Sequence, residues 1–177
     1  MNYCSSCGAD ALSWEIPPDD NRHRYVCHHC DTIHYQNPKM VVGCLPIYDD
    51  KILLCRRAIE PRLGFWGLPA GYLEMGETLE EGALRETTEE SGAQVELIRL
   101  HAVYNIPRIS QIYFFFLARM TSPDLNIGPE TQEARLFAPA EIPYEEMAFP
   151  SSVFAIRRYL QYKDQGFEGV HQSHWAH

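Results

Sequence analysis

"GYLEMGETLEEGALRETTEESGA", residues 71–93, sets seven glutamates against one arginine. Leu79, Ala83, Leu84 and Thr87 recur near the 3.6-residue period, which predicts an amphipathic helix through much of the stretch. Like charges three and four residues apart on a helix cost roughly 0.2–0.5 kcal/mol per pair. Glu86, Glu89 and Glu90 stand at i, i+3 and i+4, so one helical face is predicted to gather three carboxylates. Magnesium and manganese favour carboxylate, carbonyl and water oxygens. Such ions would offset the repulsion on that face.

The rest of the chain sets the frame for that helix. Its 177 residues suit one ordinary domain, or one domain with a small appendage, and a 45% hydrophobic composition supports a real core. A formal net charge of −9 argues against nucleic acid as the default partner. It leaves phosphate-bearing small molecules open, because bound divalent cations invert the local field. There is no run of 18 apolar residues, so no membrane span is expected. The opening "MNYCSSCGAD" lacks the basic and apolar regions of a signal peptide. A cytoplasmic, reducing location is therefore the expectation, in which six cysteines read as metal ligands or buried thiols.

Four of the cysteines fall into two pairs. Cys4 and Cys7 lie in "CSSC", Cys27 and Cys30 in "CHHC", giving C-x2-C-x19-C-x2-C. This spacing is that of a Cys4 zinc ribbon, in which each knuckle delivers two thiolates to one tetrahedral Zn²⁺. The segment holds few large apolar residues, so a metal is expected to supply the missing stability. Two redox-active C-x-x-C pairs are the alternative, but no βαβ pattern surrounds them. His23, His28, His29 and His34 are expected at the surface, since four cysteines complete the site.

"YQNPKM" (35–40) closes this segment, and the expected organisation is a ribbon over 1–36, a main domain over 37–163 and a tail over 164–177. "MVVGCLPIYDDKILLCRRA" reads as a β-hairpin turning at Asp49-Asp50, with Cys44 and Cys55 as buried thiols. "EPRLGFWGLPAG" is a Gly/Pro-punctuated loop leading into the acidic helix. Strands are expected over 95–105 and 111–118, a loop over 121–132, a last strand in "ARLFAPAEIP", and a closing helix over 151–163. The tail carries no readable signal, and its histidines are not expected to bind metal. Residues alone justify a mixed α and β fold.

As a pattern, the opening stretch is Gly71, Glu77, Arg85-Glu86, Glu89-Glu90 and Gly92 at the spacing G-x5-E-x7-R-E-U-x-E-E-x-G-U. It resembles the signature of the Nudix hydrolases. All seven invariant positions are filled, while Thr87 and Ala93 stand where the family places a bulky aliphatic residue. The resemblance implies an α/β fold, an α/β/α sandwich with a mixed β-sheet. It also implies hydrolysis of a nucleoside diphosphate linked to another group, with Mg²⁺ or Mn²⁺ as catalytic cofactor. Glu86, Glu89 and Glu90 are then the metal ligands, with the Gly71 carbonyl as a fourth. Glu86 is the first choice of general base. Arg85 orients neighbouring carboxylates and Glu77 braces the loop. Glu130 and Glu133, in "GPETQEARLF", are candidates for a further glutamate that some members recruit.

Specificity lies outside this motif. A ribbon ahead of a Nudix domain is similar to two groups, the NADH pyrophosphatases and a set that includes plant FAD pyrophosphatases. The first carries S-Q-P-W-x-F-P-x-S after the motif; here Ser110-Gln111-Ile112-Tyr113-Phe114 lacks the Pro-Trp. "YQNPKMVVGCL", "LLCRRAIEP", "WGLPAGYLEMGET", "SQIYFFFLA", "GPETQEARLFAPAEIP" and "MAFPSS" resemble the second group, over roughly residues 4–160. That likeness implies cleavage of FAD to FMN and AMP, with ADP-ribose or NADH as alternative substrates. Flat rings call for aromatic platforms, for which Phe65, Tyr72 and Tyr104 are candidates. Trp66 is expected to anchor the loop that delivers Gly71. Arg56, Arg57 and Arg108 are candidates to meet phosphates, although strand alternation aims only one of Arg56 and Arg57 toward a given face. A non-catalytic nucleotide-sensing or nucleic-acid-binding module is a further alternative, disfavoured because every motif glutamate is present. The ribbon is expected to serve a homodimer.

Overall fold

The computed structural model describes residues 1–175. The chain divides into two compact units, Met1–Pro38 and Lys39–His177. Among the described residues no helix is long and apolar enough to cross a membrane.

The first unit is a three-stranded antiparallel sheet, β1 (Leu12–Glu15), β2 (Arg24–Cys27) and β3 (Ile33–His34), in the order β1-β2-β3. The Cys4 Sγ lies 3.7 Å from that of Cys30, and the Cys7 Sγ 3.7 Å from that of Cys27. Tetrahedral Zn–S bonds of about 2.3 Å place sulfurs roughly 3.8 Å apart, whereas a disulfide needs about 2.05 Å. All four sulfurs fall within 4.8 Å of one another, so the set fits a tetrahedral metal. His34 departs from the surface position expected of it. It is buried, and its Nε2 lies 3.3 Å from the Cys4 sulfur. Burial pushes the Cys4 thiol up, but the backbone N–H groups of Cys7 and Ser6, together with His34, draw it down to about 5. A thiolate held at neutral pH is the form a metal binds.

The second unit is built on one eight-stranded mixed sheet. Its strands are β4 (Lys39–Tyr48), β5 (Lys51–Arg57), β6 (Trp66–Gly67), β7 (Ala70–Tyr72), β8 (Val95–Ile106), β9 (Gln111–Met120), β10 (Thr131–Phe137) and β11 (His171–His174). The main path runs β10-β5-β4-β9-β8-β11, with β6 on β5 and β7 on β4. β4 pairs in parallel with β9, and β8 with β11; the remaining pairings are antiparallel. The hairpin between β4 and β5 turns on Asp49 and Asp50, at φ 45° and 62°. Positive φ at both positions is the type I′ geometry that matches strand twist.

β4 is apolar almost throughout because both its faces are covered. Val41 and Leu45 pack with Phe115, Leu117, Ala155 and Ile156 on the side of α2 (Pro150–Tyr162). Val42 and Cys44 pack with Phe116, Ala118 and Ala83 on the side of α1 (Leu79–Ser91). The result is the expected α/β/α sandwich. α1 opens on a capping box: the Glu81 N–H donates to the Thr78 hydroxyl at 3.2 Å and the Thr78 N–H to the Glu81 carboxylate at 2.8 Å. It closes at Gly92, in the left-handed region at φ 69°. Thr87, at a position where an aliphatic residue is usual, is fully buried and donates its hydroxyl to the Ala83 carbonyl at 2.7 Å. Ala93 is buried beside Leu53 and Met120.

One expectation is corrected at the C-terminal end. Residues 171–174 extend the sheet as β11, so the strand after the loop, β10, is not the last. The segment "HQSH" is polar and lacks the apolar alternation by which strands are recognised. Stripping the metal from the ribbon with a chelator, or replacing Cys27 with Ala, should make residues 1–38 sensitive to limited proteolysis. The unfolding transition of the second unit should stay where it is.

Candidate active site

α1 is seated across β4 and β7, and their close approach is set by glycine. A Cβ on Gly71 would collide with the Glu86 carboxylate, so any larger residue there would displace that carboxylate from its present position. From this helix Arg85 reaches back toward the loop that precedes it. Its Nε donates to Glu77 at 2.6 Å. Nη1 donates to Glu86 at 2.7 Å and to Glu89 at 3.1 Å, and Nη2 to Glu77 at 3.0 Å and to the Tyr72 carbonyl at 3.1 Å. A guanidinium has five N–H groups, and each one here finds an oxygen. Glu77 also accepts the Glu74 N–H at 3.0 Å, and its carboxyl is held below the usual range chiefly by Arg85. Glu77 thus links α1 to the loop before it.

The three helix carboxylates meet different surroundings. Glu89 is exposed and tied to Arg85. Glu86 is half-buried, and burial raises its pKa despite the Arg85 contact. Glu90 is the deepest; its carboxylate accepts the Ala70 N–H at 3.3 Å. Burial first, and the charge of Glu86 second, push its pKa up to about 8. These carboxylates do not converge as the cysteines do. Among the described residues only the four cysteines bring three or more ligand atoms within 4.8 Å of one another. Arg85 draws Glu86 and Glu89 toward itself, so the expected three-glutamate face is present but not drawn in to a common centre.

Glu86, Glu89 and Glu90 line a cleft of about 1010 Å³ at one end of the sheet. Glu130 joins them from the loop before β10. That loop lies on the last turn of α1: the Asn126 N–H donates to the Ser91 carbonyl at 2.8 Å, and a Cβ on Gly128 would meet the Glu89 carbonyl at 2.0 Å. Charge on Glu130 adds to the upward shift of both Glu86 and Glu90. Glu86, Glu90 and Glu130, with the backbone at Gly71, form an oxygen-rich donor set that could hold divalent cations. Glu86 and Glu90, whose pKa values burial raises, fit that role.

Sequence alternation separates the two arginines at the end of β5. Arg57 lines the cleft, with its guanidinium 5.2 Å from the centre of the Phe149 ring. Arg56 points away and donates its Nε–H to the Gly64 carbonyl at 2.8 Å. Tyr72 lies at the cleft, 49% exposed. Four other candidates do not reach it. Tyr104 is buried on the α2 side of the sheet against Phe154. Phe65 packs under the Arg62 guanidinium. Arg108 is exposed in the short turn Pro107–Ile109, and Glu133 is exposed on β10 opposite Arg56. Trp66 is buried edge-on to Phe137 and does the anchoring expected of it. The cleft also holds Gln111, Tyr113, Phe149 and Trp175, which sequence reading missed. Gln111 and Tyr113 lie in a stretch read as strand, Phe149 just precedes the closing helix, and Trp175 follows a strand that carries no apolar pattern.

The raised pKa of Glu90 has a stability consequence with a definite sign. A carboxyl whose folded pKa lies above its unfolded value contributes stability fully below the unfolded value of 4.5, and loses it as pH rises through about 8. In buffer without added divalent cations, thermal stability should fall across that window. Glu90→Gln should flatten the fall, and so should added Mg²⁺.

Comparison with known proteins gives consistent matches. The NUDIX domain model matches residues 37–158, and the Nudix N-terminal zinc-ribbon model residues 2–36. An ADP-ribose pyrophosphatase of Methanocaldococcus jannaschii is 32% identical over 73% of this chain and 78% of its own. The NAD-capped RNA hydrolase NudC of Escherichia coli is 31% identical over 80% of this chain, which spans about half (53%) of that relative. The crystal structure of a NUDIX hydrolase from Nitrosomonas europaea superposes with a TM-score of 0.92 at 44% identity, covering 99% of this chain and 100% of the other. With the family model spanning most of the chain, and Glu77, Glu86 and Glu89 of the motif tied to its one arginine, the protein belongs to the Nudix hydrolase family.

Proposed function

We propose that the protein hydrolyses the diphosphate bond of a dinucleotide with an adenylate half, with FAD cut to FMN and AMP as the leading reading. The observation that carries it is the group of Glu86, Glu90, Glu130 and Arg57 on the floor of a cleft of about 1010 Å³. A volume at the upper end of small-ligand pockets suits a dinucleotide. FAD leads because of the segment likeness over residues 4–160. ADP-ribose or an NAD-type substrate is the second reading, favoured by the activities that the Methanocaldococcus jannaschii and Escherichia coli relatives are named for.

In this reading Glu86, Glu90 and the Gly71 carbonyl hold the catalytic cations, Mg²⁺ or Mn²⁺. Bound there, such ions supply neutralisation of phosphoryl oxygens and a water of lowered pKa. Arg57 faces the same floor and meets a phosphate directly. Glu89 and Arg85 keep Glu86 oriented. Glu130 makes no side-chain hydrogen bond or ion pair among the described residues, which favours it over Glu86 as the proton acceptor. Zinc is the proposed structural ion of the ribbon, and a homodimer, read by sedimentation, is part of the proposal.

Chromatography of the products tests this directly. Protein with Mg²⁺ or Mn²⁺ meets FAD, ADP-ribose, NADH and a nucleoside triphosphate at equal concentration. FMN and AMP formed fastest are expected; faster cleavage of ADP-ribose or NADH would move the assignment to the second reading, and cleavage of none would sink both. Glu90→Gln and Glu130→Gln should each lower turnover by roughly 10²–10⁴-fold with the circular dichroism spectrum unchanged.

A further inference from the structure

The cleft continues past the carboxylates to the opposite edge of the sheet, where its wall is Trp175. This side chain is 48% exposed and lines the cleft with a large flat apolar surface. Its backbone is held in place: the Trp175 N–H donates to the Asn105 carbonyl at 2.9 Å, continuing the parallel register of β11 on β8. Upstream, Arg99 donates to the carbonyls of Gly169 at 2.8 Å and Phe167 at 2.9 Å. His171 is buried and stacks on Phe167 with ring centres 4.4 Å apart. The strand that presents Trp175 is thus anchored before it arrives.

Facing Trp175 across the end of β8 is Gln111, which pairs with Ile106. Its amide N–H donates to the Tyr72 hydroxyl at 2.8 Å, and its amide oxygen accepts from the Tyr113 hydroxyl at 3.0 Å. A primary amide has two N–H donors and two lone pairs, so one of each is left over. An adjacent donor and acceptor is the pattern needed to read the edge of a planar heterocycle. The spacing is suitable too. Glu90 bonds to Ala70, which pairs with Gly43 of β4. Gly43 is level with His171 of β11, so Trp175 lies three strand spacings across and four residues along from it, roughly 19 Å between backbones, a gap that the side chains at both ends and a nucleoside extending from the diphosphate together span.

We propose that Trp175 is the stacking platform for a planar heterocycle at one end of the substrate, and that Gln111 reads the edge of that ring. The inference rests on the dinucleotide reading above and adds a specificity-determining residue to it. It also places the recognition of the ring on the C-terminal strand, away from the residues that meet the diphosphate.

Calorimetry with AMP, FMN and NMN in Mg²⁺ tests it, because each carries one ring and no scissile bond between nucleotides. Trp175→Leu keeps apolar bulk and removes the π face; Trp175→Phe keeps a smaller one. For at least one of the three mononucleotides, Kd should rise about 5- to 100-fold in the Leu variant and return most of the way in the Phe variant. KM for the parent dinucleotide should rise in parallel, with kcat little changed. Equal Kd values in wild type, Leu and Phe variants would overturn the platform, as would failure of the wild type to bind any of the three. Loss of ring binding in the Leu variant of a protein that cleaves no dinucleotide would leave the platform standing and remove the proposed reaction. Cleavage with unchanged KM in every variant would do the reverse.

Discussion

Arg85 is the residue on which the arrangement of the site depends. Its five N–H groups tie the loop before α1, through Glu77 and the Tyr72 carbonyl, to the helix itself, through Glu86 and Glu89. A cluster of carboxylates this dense repels itself, and a planar cation in its midst holds it together without closing it. The consequence is a division of labour among chemically identical side chains. Glu77 and Glu89 are occupied by the guanidinium, Glu86 is shared, and Glu90 and Glu130 line the cleft outside its reach. Of the carboxylates in the proposed cation site, only Glu86 is shared with Arg85.

The sheet makes this possible by burying both of its faces. α1 covers one and α2 the other, so the polar chemistry is confined to the sheet's end, where the loops leave it. Close approaches sharpen the geometry. No side chain fits between β7 and Glu86 at Gly71, or between the 121–131 loop and α1 at Gly128. These contacts bring Glu130 over a helix that lies far from it along the chain. The cleft then runs across the strand ends from that loop to the edge strand β11.

Features that depend on near neighbours in the chain were legible before the fold was known. The C-x2-C knuckles, the acidic helical face and the Asp49-Asp50 hairpin all follow from spacing within a turn or a strand. Alternation in β5 required that Arg56 and Arg57 part company, and the pairing of the sheet decides that Arg57 is the one in the cleft. His34 could not be told from its neighbours, because only folding of the ribbon brings it against Cys4.

Sequence by itself therefore determined the family motif, the cysteine knuckles and the identity of the acidic helix, since these rest on local periodicity and fixed spacing. Tertiary structure decided which groups share one site. Tyr104 is aromatic and near a loop, yet the pleat turns it into the core. Glu130 and Glu133 are three residues apart, yet only the first lines the cleft. Trp175 arrives through a strand with no apolar alternation, held by backbone pairing with β8. Backbone hydrogen bonds between distant segments carry no signature in residue type, so their outcome is visible only once the sheet is assembled.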